Sequence, residues 1–163
     1  MAYDANWPRW VQASIAKHFK TVANSNSYAS LVEEIEERTT AFQENPQRVE
    51  IKINGPFIKE QSKDYWYFSA DAYVLIISHM DGTLDNAYLG TTMAGIMAQA
   101  AAATIPVNKL GAGVDDDQSL IGCLTLRRGN DESVKVFHFG EIDTENRIRQ
   151  LGVDVRLEMY LCQ

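Results

Sequence analysis

Three histidines, at positions 18, 79 and 138, are the first candidates for chemistry in this chain. His18 falls beside the apolar side of a helical pattern, and His138 alternates out of phase with two phenylalanines in a strand pattern. His79 and Asp81 form a potential ligand pair at a strand end, but a protein zinc site needs three or four ligands. No third ligand is close to them in sequence, so we predict no metal site.

Nucleophilic and phosphate-binding signatures are also missing. Cys123 and Cys162 belong to no CxxC motif, and we expect both to be buried free thiols. No G-x-S-x-G elbow occurs, and the segment 90–95 lacks the Gly-Lys-Ser/Thr ending of a phosphate loop. The acidic run 115–117 lacks the spaced oxygen ligands of a calcium loop. We therefore expect no catalytic residue, no cofactor and no metal, and a protein that is not an enzyme.

Composition narrows the class of protein further. The chain has 163 residues, 45% hydrophobic and 23% charged, which is ordinary for a globular protein and predicts a single domain over 1–163. A net charge of -7 repels phosphate backbones. The aromatic run 65–68 lacks interleaved basic residues, so it indicates packing rather than base stacking. No apolar run reaches the ~20 residues of a membrane span, and no signal peptide is visible, so we expect no membrane partner.

Helical periodicity appears in three places. A helix near the N-terminus, with Pro8 in its first turn, is predicted by apolar residues at spacings of three and four: Trp10, Val11, Ile15, Phe19 and Val22. The same spacing predicts a short second helix over about 28–39, with Leu31, Val32 and Ile35 directed inward. A central helix is predicted over about 86–103, with an inward face of Leu89, Met93, Ile96, Met97 and Ala100.

Strand periodicity begins after residue 48. Val49, Ile51 and Ile53 alternate with polar residues, and the Asn-Gly-Pro sequence at 54–56 signals a turn or a bulge. The segment 57–63 either extends this strand past a bulge or connects it to the next one. A long strand is predicted over 65–78, and we expect the two stretches to pair antiparallel.

The last third of the chain is also strand-like. Strands over 120–127 and 134–139 are predicted to be joined by a turn at 128–131. The final strand, 150–161, alternates cleanly, and one set of its side chains should be buried: Val153, Val155, Leu157, Met159 and Leu161. Together the elements predict an α+β fold, a mainly antiparallel mixed sheet flanked by an N-terminal helix and one central helix at about 86–103.

Three segments together resemble a known family. A Trp-containing helix from Trp10 to Phe19 is followed by the sequence Arg48 to Pro56, which leads into the long strand at 65–78. A turn over 142–150 then precedes the terminal strand. In element order the chain is similar to the neck and tail-completion proteins of tailed bacteriophages, specifically to the tail terminators. The resemblance covers most of the chain.

The resemblance implies a structural role in the virion tail or neck, assembled in the host cytoplasm. Tail terminators form a homo-oligomeric ring, a hexamer, on the last ring of tail-tube protein and present a surface to the head connector or stopper protein. An acidic lumen suits such a ring, because DNA passes through it without specific binding. The alternatives are a head-completion (stopper) protein or a tail-tube protein, although the central helix counts against a tube protein. From a different class, a small-molecule-binding or enzymatic α+β domain remains open.

One segment is a candidate for the contact between subunits. Phe57 and Ile58 follow the turn or bulge and precede a polar tip that begins with Lys59 and Glu60. Two large apolar side chains at this place suit a contact with a neighbouring subunit better than the core of a monomer. The alternative is that they cap the end of their own sheet. We predict a subunit interface at Phe57, Ile58, Lys59 and Glu60.

Overall fold

Seven strands form one mixed sheet in a computed structural model that describes residues 4–62, 65–79, 84–109, 119–129, 132–143 and 147–162. The elements in chain order are α1 (Trp7–Ser25), β1 (Ala29–Val32), α2 (Thr40–Glu44), β2 (Gln47–Ser62), β3 (Tyr65–His79), α3 (Leu84–Ala102), β4 (Ile105–Asn108), β5 (Leu120–Leu126), β6 (Val134–Asp143) and β7 (Ile148–Cys162). The strand order is β1-β2-β3-β7-β5-β4, and β6 also pairs with β7. Only the pairing of β1 with β2 is parallel. The predicted α+β fold is confirmed.

The core lies between this sheet and the two long helices. Helix α1 packs on β2 and β4, and α3 packs on β3 and β7. The sheet side of the core includes four residues of β7 whose burial the alternation predicted: Val153, Val155, Leu157 and Met159. Burying such a side chain contributes about 1.5–3 kcal/mol. The side chain of the fifth predicted residue, Leu161, lies outside the described part of the structure.

The predicted helix over 28–39 is wrong, because the chain there forms β1. Leu31 and Val32 are adjacent and both buried, which a strand allows by directing successive side chains to opposite faces. Parallel pairing with β2 satisfies the backbone of β1. Ile35, which was expected to point inward, is 59% exposed in the turn that follows.

The strands predicted over 120–127 and 134–139 are present as β5 and β6, but they do not form a hairpin. Strands β5 and β6 do not pair with each other but lie end to end along the same side of β7. The chain passes from one to the other at Arg156, whose carbonyl accepts from the Arg127 N–H and whose N–H donates to the Ser133 carbonyl. Strand β5 pairs instead with β4, a four-residue strand that the sequence did not reveal.

The face of the sheet opposite α1 and α3, here called the outer face, is covered at one end. Leu31, Phe42 and Ile77 are buried but do not belong to the main core cluster. Ile77 lies opposite Arg48, out of phase with the core residue Val49. The segment that contains α2 therefore covers this end of the outer face.

Candidate subunit interface

Aromatic side chains share the rest of the outer face with charged ones such as Asp71, Asp154 and Arg156. The alternation in β3 separates buried residues such as Phe68 and Val74 from Tyr67 and Tyr73, which point to the outer face. Residues on β2, β6 and β7 join these tyrosines in a surface that we call the aromatic face, made of Phe57, Tyr67, Tyr73, Phe137, Phe139 and Tyr160. Phe57, Phe139 and Tyr160 are at least half exposed.

Two pairs of these rings are in contact. Tyr67 lies opposite Tyr160, and their ring centroids are 4.9 Å apart. Phe137 and Phe139 stack with a centroid distance of 6.4 Å. Aromatic pairs of this kind add about 0.5–1.5 kcal/mol beyond the area they bury, so the rings form an ordered surface. An exposed, ordered group of aromatic side chains is typical of a protein–protein contact.

A polar cluster lies beside the two tyrosines at the same end of the face. The Glu158 carboxylate is buried and accepts hydrogen bonds from the Tyr67 hydroxyl at 3.3 Å and from the Arg128 N–H at 3.0 Å. Burial raises the pKa of Tyr67, and the Glu158 carboxylate adds to the increase, while Arg127 opposes it. Tyr67 therefore stays neutral, and its hydroxyl donates a hydrogen bond that holds the Glu158 carboxylate in place. The Arg127 guanidinium lies 3.6 Å from Asp71, which adds a cation to the cluster.

The four residues predicted at the interface divide between the two faces. A shift of register between Asn54 and Phe57 places Phe57 opposite Ser69, on the outer face, where it is 58% exposed. Ile58 lies opposite Phe68 and packs against the core of its own subunit. Lys59 and Glu60 are exposed. Phe57, Lys59 and Glu60 are thus accessible to a partner, whereas most of the apolar surface of Ile58 is already used.

Four strands have an edge with no neighbouring strand in the described part of the chain: β1, the second half of β2, β4 and β6. Strand β1 accompanies β2 only as far as Ile51, so the half of β2 that holds Phe57 pairs on one side only, with β3. On the far side of the sheet, β6 pairs only with β7. Phe137 and Phe139, both exposed, lie on this edge of β6. Unpaired edges are templates for pairing with another chain.

The other residues singled out in the sequence are scattered. His18 is half-buried, with Nε2 3.0 Å from the Ala100 carbonyl, and both His79 and His138 are exposed. Cys123 is exposed rather than buried, because β5 lies near the margin of the sheet opposite the exposed Pro106 of β4. The Cys162 side chain, Asp81 and the run 115–117 lie outside the described residues. Among the described residues, no group of three His, Cys, Asp or Glu side chains could hold a metal ion.

Phe57 was predicted from the sequence to lie at an interface, whereas the aromatic face as a whole was not predicted. Tyr67 was noted only as part of an aromatic run, and Phe137 and Phe139 only as neighbours of His138. The alternation of Tyr67 with Phe68 and Ala70 could have placed it on the outer face. Its proximity to Tyr160 depends on the register of β3 with β7, which no local signal reveals.

Comparison with known proteins supports the fold. No family model matches this chain, and no curated protein is significantly similar to it. Seventeen chains of solved structures match. One of them superposes with a TM-score of 0.57 over 93% of this chain and 94% of its own length, at 7% sequence identity. Its name is a bare identifier that states no function, so this likeness is a likeness of fold. In the part of the chain that the structure describes, no helix is long and apolar enough to cross a membrane.

Proposed function

We propose that this protein is a structural subunit of the neck of a tailed bacteriophage, a tail terminator that forms a ring on the end of the tail tube. The observation that carries the proposal is the aromatic face, because an ordered group of exposed rings on an open sheet is suited to burial against another protein. The element order that resembles the tail terminators supports the choice within that class.

Two of these unpaired edges, those of β2 and β6, are consistent with a ring. One edge lies on β2 and the other on β6, towards the two opposite ends of the strand order. Each copy therefore offers two different surfaces to its neighbours. A head-to-tail contact between different surfaces closes into a ring when the rotation between copies divides a full turn. Both edges carry exposed phenylalanines, Phe57 on one and Phe139 on the other, which can anchor the contact.

The charge of the chain suits the same role. With -7 per subunit, a ring of six copies presents a strongly acidic body that DNA does not adhere to while it passes. The partners in this proposal are the tail-tube protein on one side of the ring and the head connector or stopper protein on the other. The protein then resides in the virion and is assembled in the host cytoplasm.

Sedimentation velocity with native mass spectrometry tests the ring. The wild-type chain is expected to form one discrete species of about six subunits, and Phe57→Ser should reduce it to monomers without lowering the melting temperature. Ile58→Ser is the matched comparison, because that side chain packs in its own subunit. It should lower the melting temperature. A wild-type chain that stays monomeric at high concentration would overturn the proposal, as would a Phe57→Ser protein that forms rings as well as the parent does.

A second experiment tests the position in the particle. Tail-tube protein of the same phage is allowed to polymerise with and without the purified chain, and tube ends are imaged by negative-stain electron microscopy. A terminator caps the ends and stops growth at substoichiometric amounts. Incorporation along the tube would instead identify a tube protein, and the absence of any effect on growth would exclude a terminator.

A further inference from the structure

A groove runs between α1 and the turn that follows β1, on the helical side of the sheet. Its volume is about 630 Å³. Four apolar side chains line it: Ala13 and Ala16 from α1, Val32 from β1, and Ile35 from the turn. Ile35 is 59% exposed, so a large apolar side chain faces solvent at the wall of the groove. The groove lies on the opposite side of the sheet from the aromatic face.

Three cations surround this apolar groove. Arg9, Lys17 and Lys20 project from α1 along its length, and among the described residues Glu36 is the one carboxylate in the lining. Glu36 accepts a hydrogen bond from the Val32 N–H at 2.9 Å and pairs with Lys20. Arg9 and Lys17 have no ion-pair partner among the described residues. The rim is therefore locally basic in a chain whose net charge is -7.

We propose that this groove is a docking site for an acidic, amphipathic segment of another protein. Apolar side chains of the segment would cover Ala13, Ala16 and Ile35, and its carboxylates would lie against Arg9 and Lys17. Combining an apolar floor with rim charges of the opposite sign gives both affinity and orientation.

Two other occupants fit the groove less well. A nucleic acid would satisfy the cations, but its phosphates would leave the apolar lining exposed to water, and the rest of the chain would repel it. A second copy held through the aromatic face would contact the opposite side of the sheet. The site is thus independent of the proposed ring, and it is available in a monomer as well as in an assembly.

Fluorescence anisotropy with a synthetic peptide tests the site on the full chain. The probe is a fluorescein-labelled 14-residue peptide with leucines at helical spacing on one side and glutamates elsewhere. We expect saturable binding that weakens with added salt. Lys17→Glu should weaken it about tenfold, which is the size of an effect of ~1.4 kcal/mol. Lys52→Glu, on the exposed outer face of β2 where Lys52 lies 3.9 Å from Glu34, is a charge reversal outside the groove and should leave binding within about twofold.

A second variant tests the apolar lining without changing charge. Ala13→Leu keeps a good helix former in α1 but fills the groove, and it should also weaken binding while the circular dichroism and melting temperature stay those of the parent. The absence of saturable binding, or equal effects of Lys17→Glu and Lys52→Glu, would overturn the proposal. Binding of a 20-base-pair DNA duplex that Lys17→Glu abolishes would also overturn it, because the site would then recognise phosphate.

Discussion

The hydroxyl group of Tyr73 lies directly over Gly152 on the neighbouring strand. A Cβ atom at position 152 would be 2.6 Å from that oxygen and 3.0 Å from the ring of Phe139. The absence of a side chain on β7 at this point therefore lets a ring from β3 and a ring from β6 approach over the same residue. Gly152 is therefore the position over which Tyr73 of β3 and Phe139 of β6 meet.

Replacing Gly152 with alanine should disturb both rings. The methyl group overlaps Tyr73 and Phe139, and relieving such an overlap costs about 1–3 kcal/mol. We expect a lower free energy of unfolding in urea and, if the aromatic face is the contact between subunits, weaker self-association. Gly95→Ala is the matched control. Nothing lies within 4 Å of a Cβ there, and the residue is within α3, so this change should be neutral or stabilising by up to about 1 kcal/mol. Equal stability of the two variants would contradict the geometry.

The burial pattern of β7 can be checked with two identical substitutions. Leu157 is fully buried against the helices, whereas Leu120, on β5, is 61% exposed. Leu157→Ala leaves a cavity and should lower the free energy of unfolding by about 2–5 kcal/mol. Leu120→Ala removes the same atoms from a solvated site and should change it by less than about 0.5 kcal/mol. A smaller loss for Leu157 than for Leu120 would mean that the alternation of β7 had been assigned to the wrong face.

The long strands were predictable because their periodicity is local. Which side chains of β2 point to the outer face after the bulge was not predictable. In β2, Val49, Ile51 and Ile53 face the core, and strict alternation would place Phe57 with them. The irregularity at Asn54–Phe57 reverses the phase, so Phe57 turns outward and Ile58 inward. The Asn-Gly-Pro sequence signals a bulge but does not state how many residues the register shifts.

A similar limit explains the error over 28–39. A spacing of three and four residues occurs in both a helix and a strand with two buried faces when the segment is short. The outcome here depends on β2, which offers an edge for parallel pairing 19 positions further along the chain. Strand β4 was not predicted from the sequence for the same reason. Its four residues include Pro106, which is unfavourable in a strand, and they form a strand because they pair with β5.

The exposure of Cys123 is directly measurable. A thiol on the surface reacts quickly with Ellman's reagent, whereas a buried thiol reacts only after the chain unfolds. We expect the native wild-type chain to show a rapid phase of at least one thiol, and Cys123→Ser to remove one equivalent of it. Cys162→Ser serves as the control that should keep the rapid reaction of Cys123. A rapid phase unchanged by Cys123→Ser would contradict the position of β5.

The last prediction concerns Glu50, which is buried on β2 and paired with Arg38. Arg38 donates to Glu50 at 2.6 Å and to Glu33 at 3.2 Å, so one guanidinium serves two carboxylates. Burial raises the pKa of Glu50 above its ordinary value; Arg38 opposes the increase, and Glu33 adds to it. Glu50 therefore binds its proton more tightly in the folded chain than in the unfolded one. Above the folded pKa, both states are ionised and the cost of burying the charge is present in full.

As the pH falls through the folded pKa towards the unfolded value near 4.5, the folded state takes up a proton first and that cost disappears. Stability of the wild type relative to Glu50→Gln should thus rise as the pH is lowered from 7.5 to about 4.5. Urea unfolding of both proteins at several pH values measures this difference in the free energy of unfolding. The contributions of the other acidic groups are present in both proteins and largely cancel. Glu37→Gln, at an exposed carboxylate next to Arg38 in the loop before α2, provides the comparison for removing one surface charge. If the difference between wild type and Glu50→Gln instead shrinks as the pH falls, Arg38 outweighs burial, and Glu50 is held as a stabilising anion.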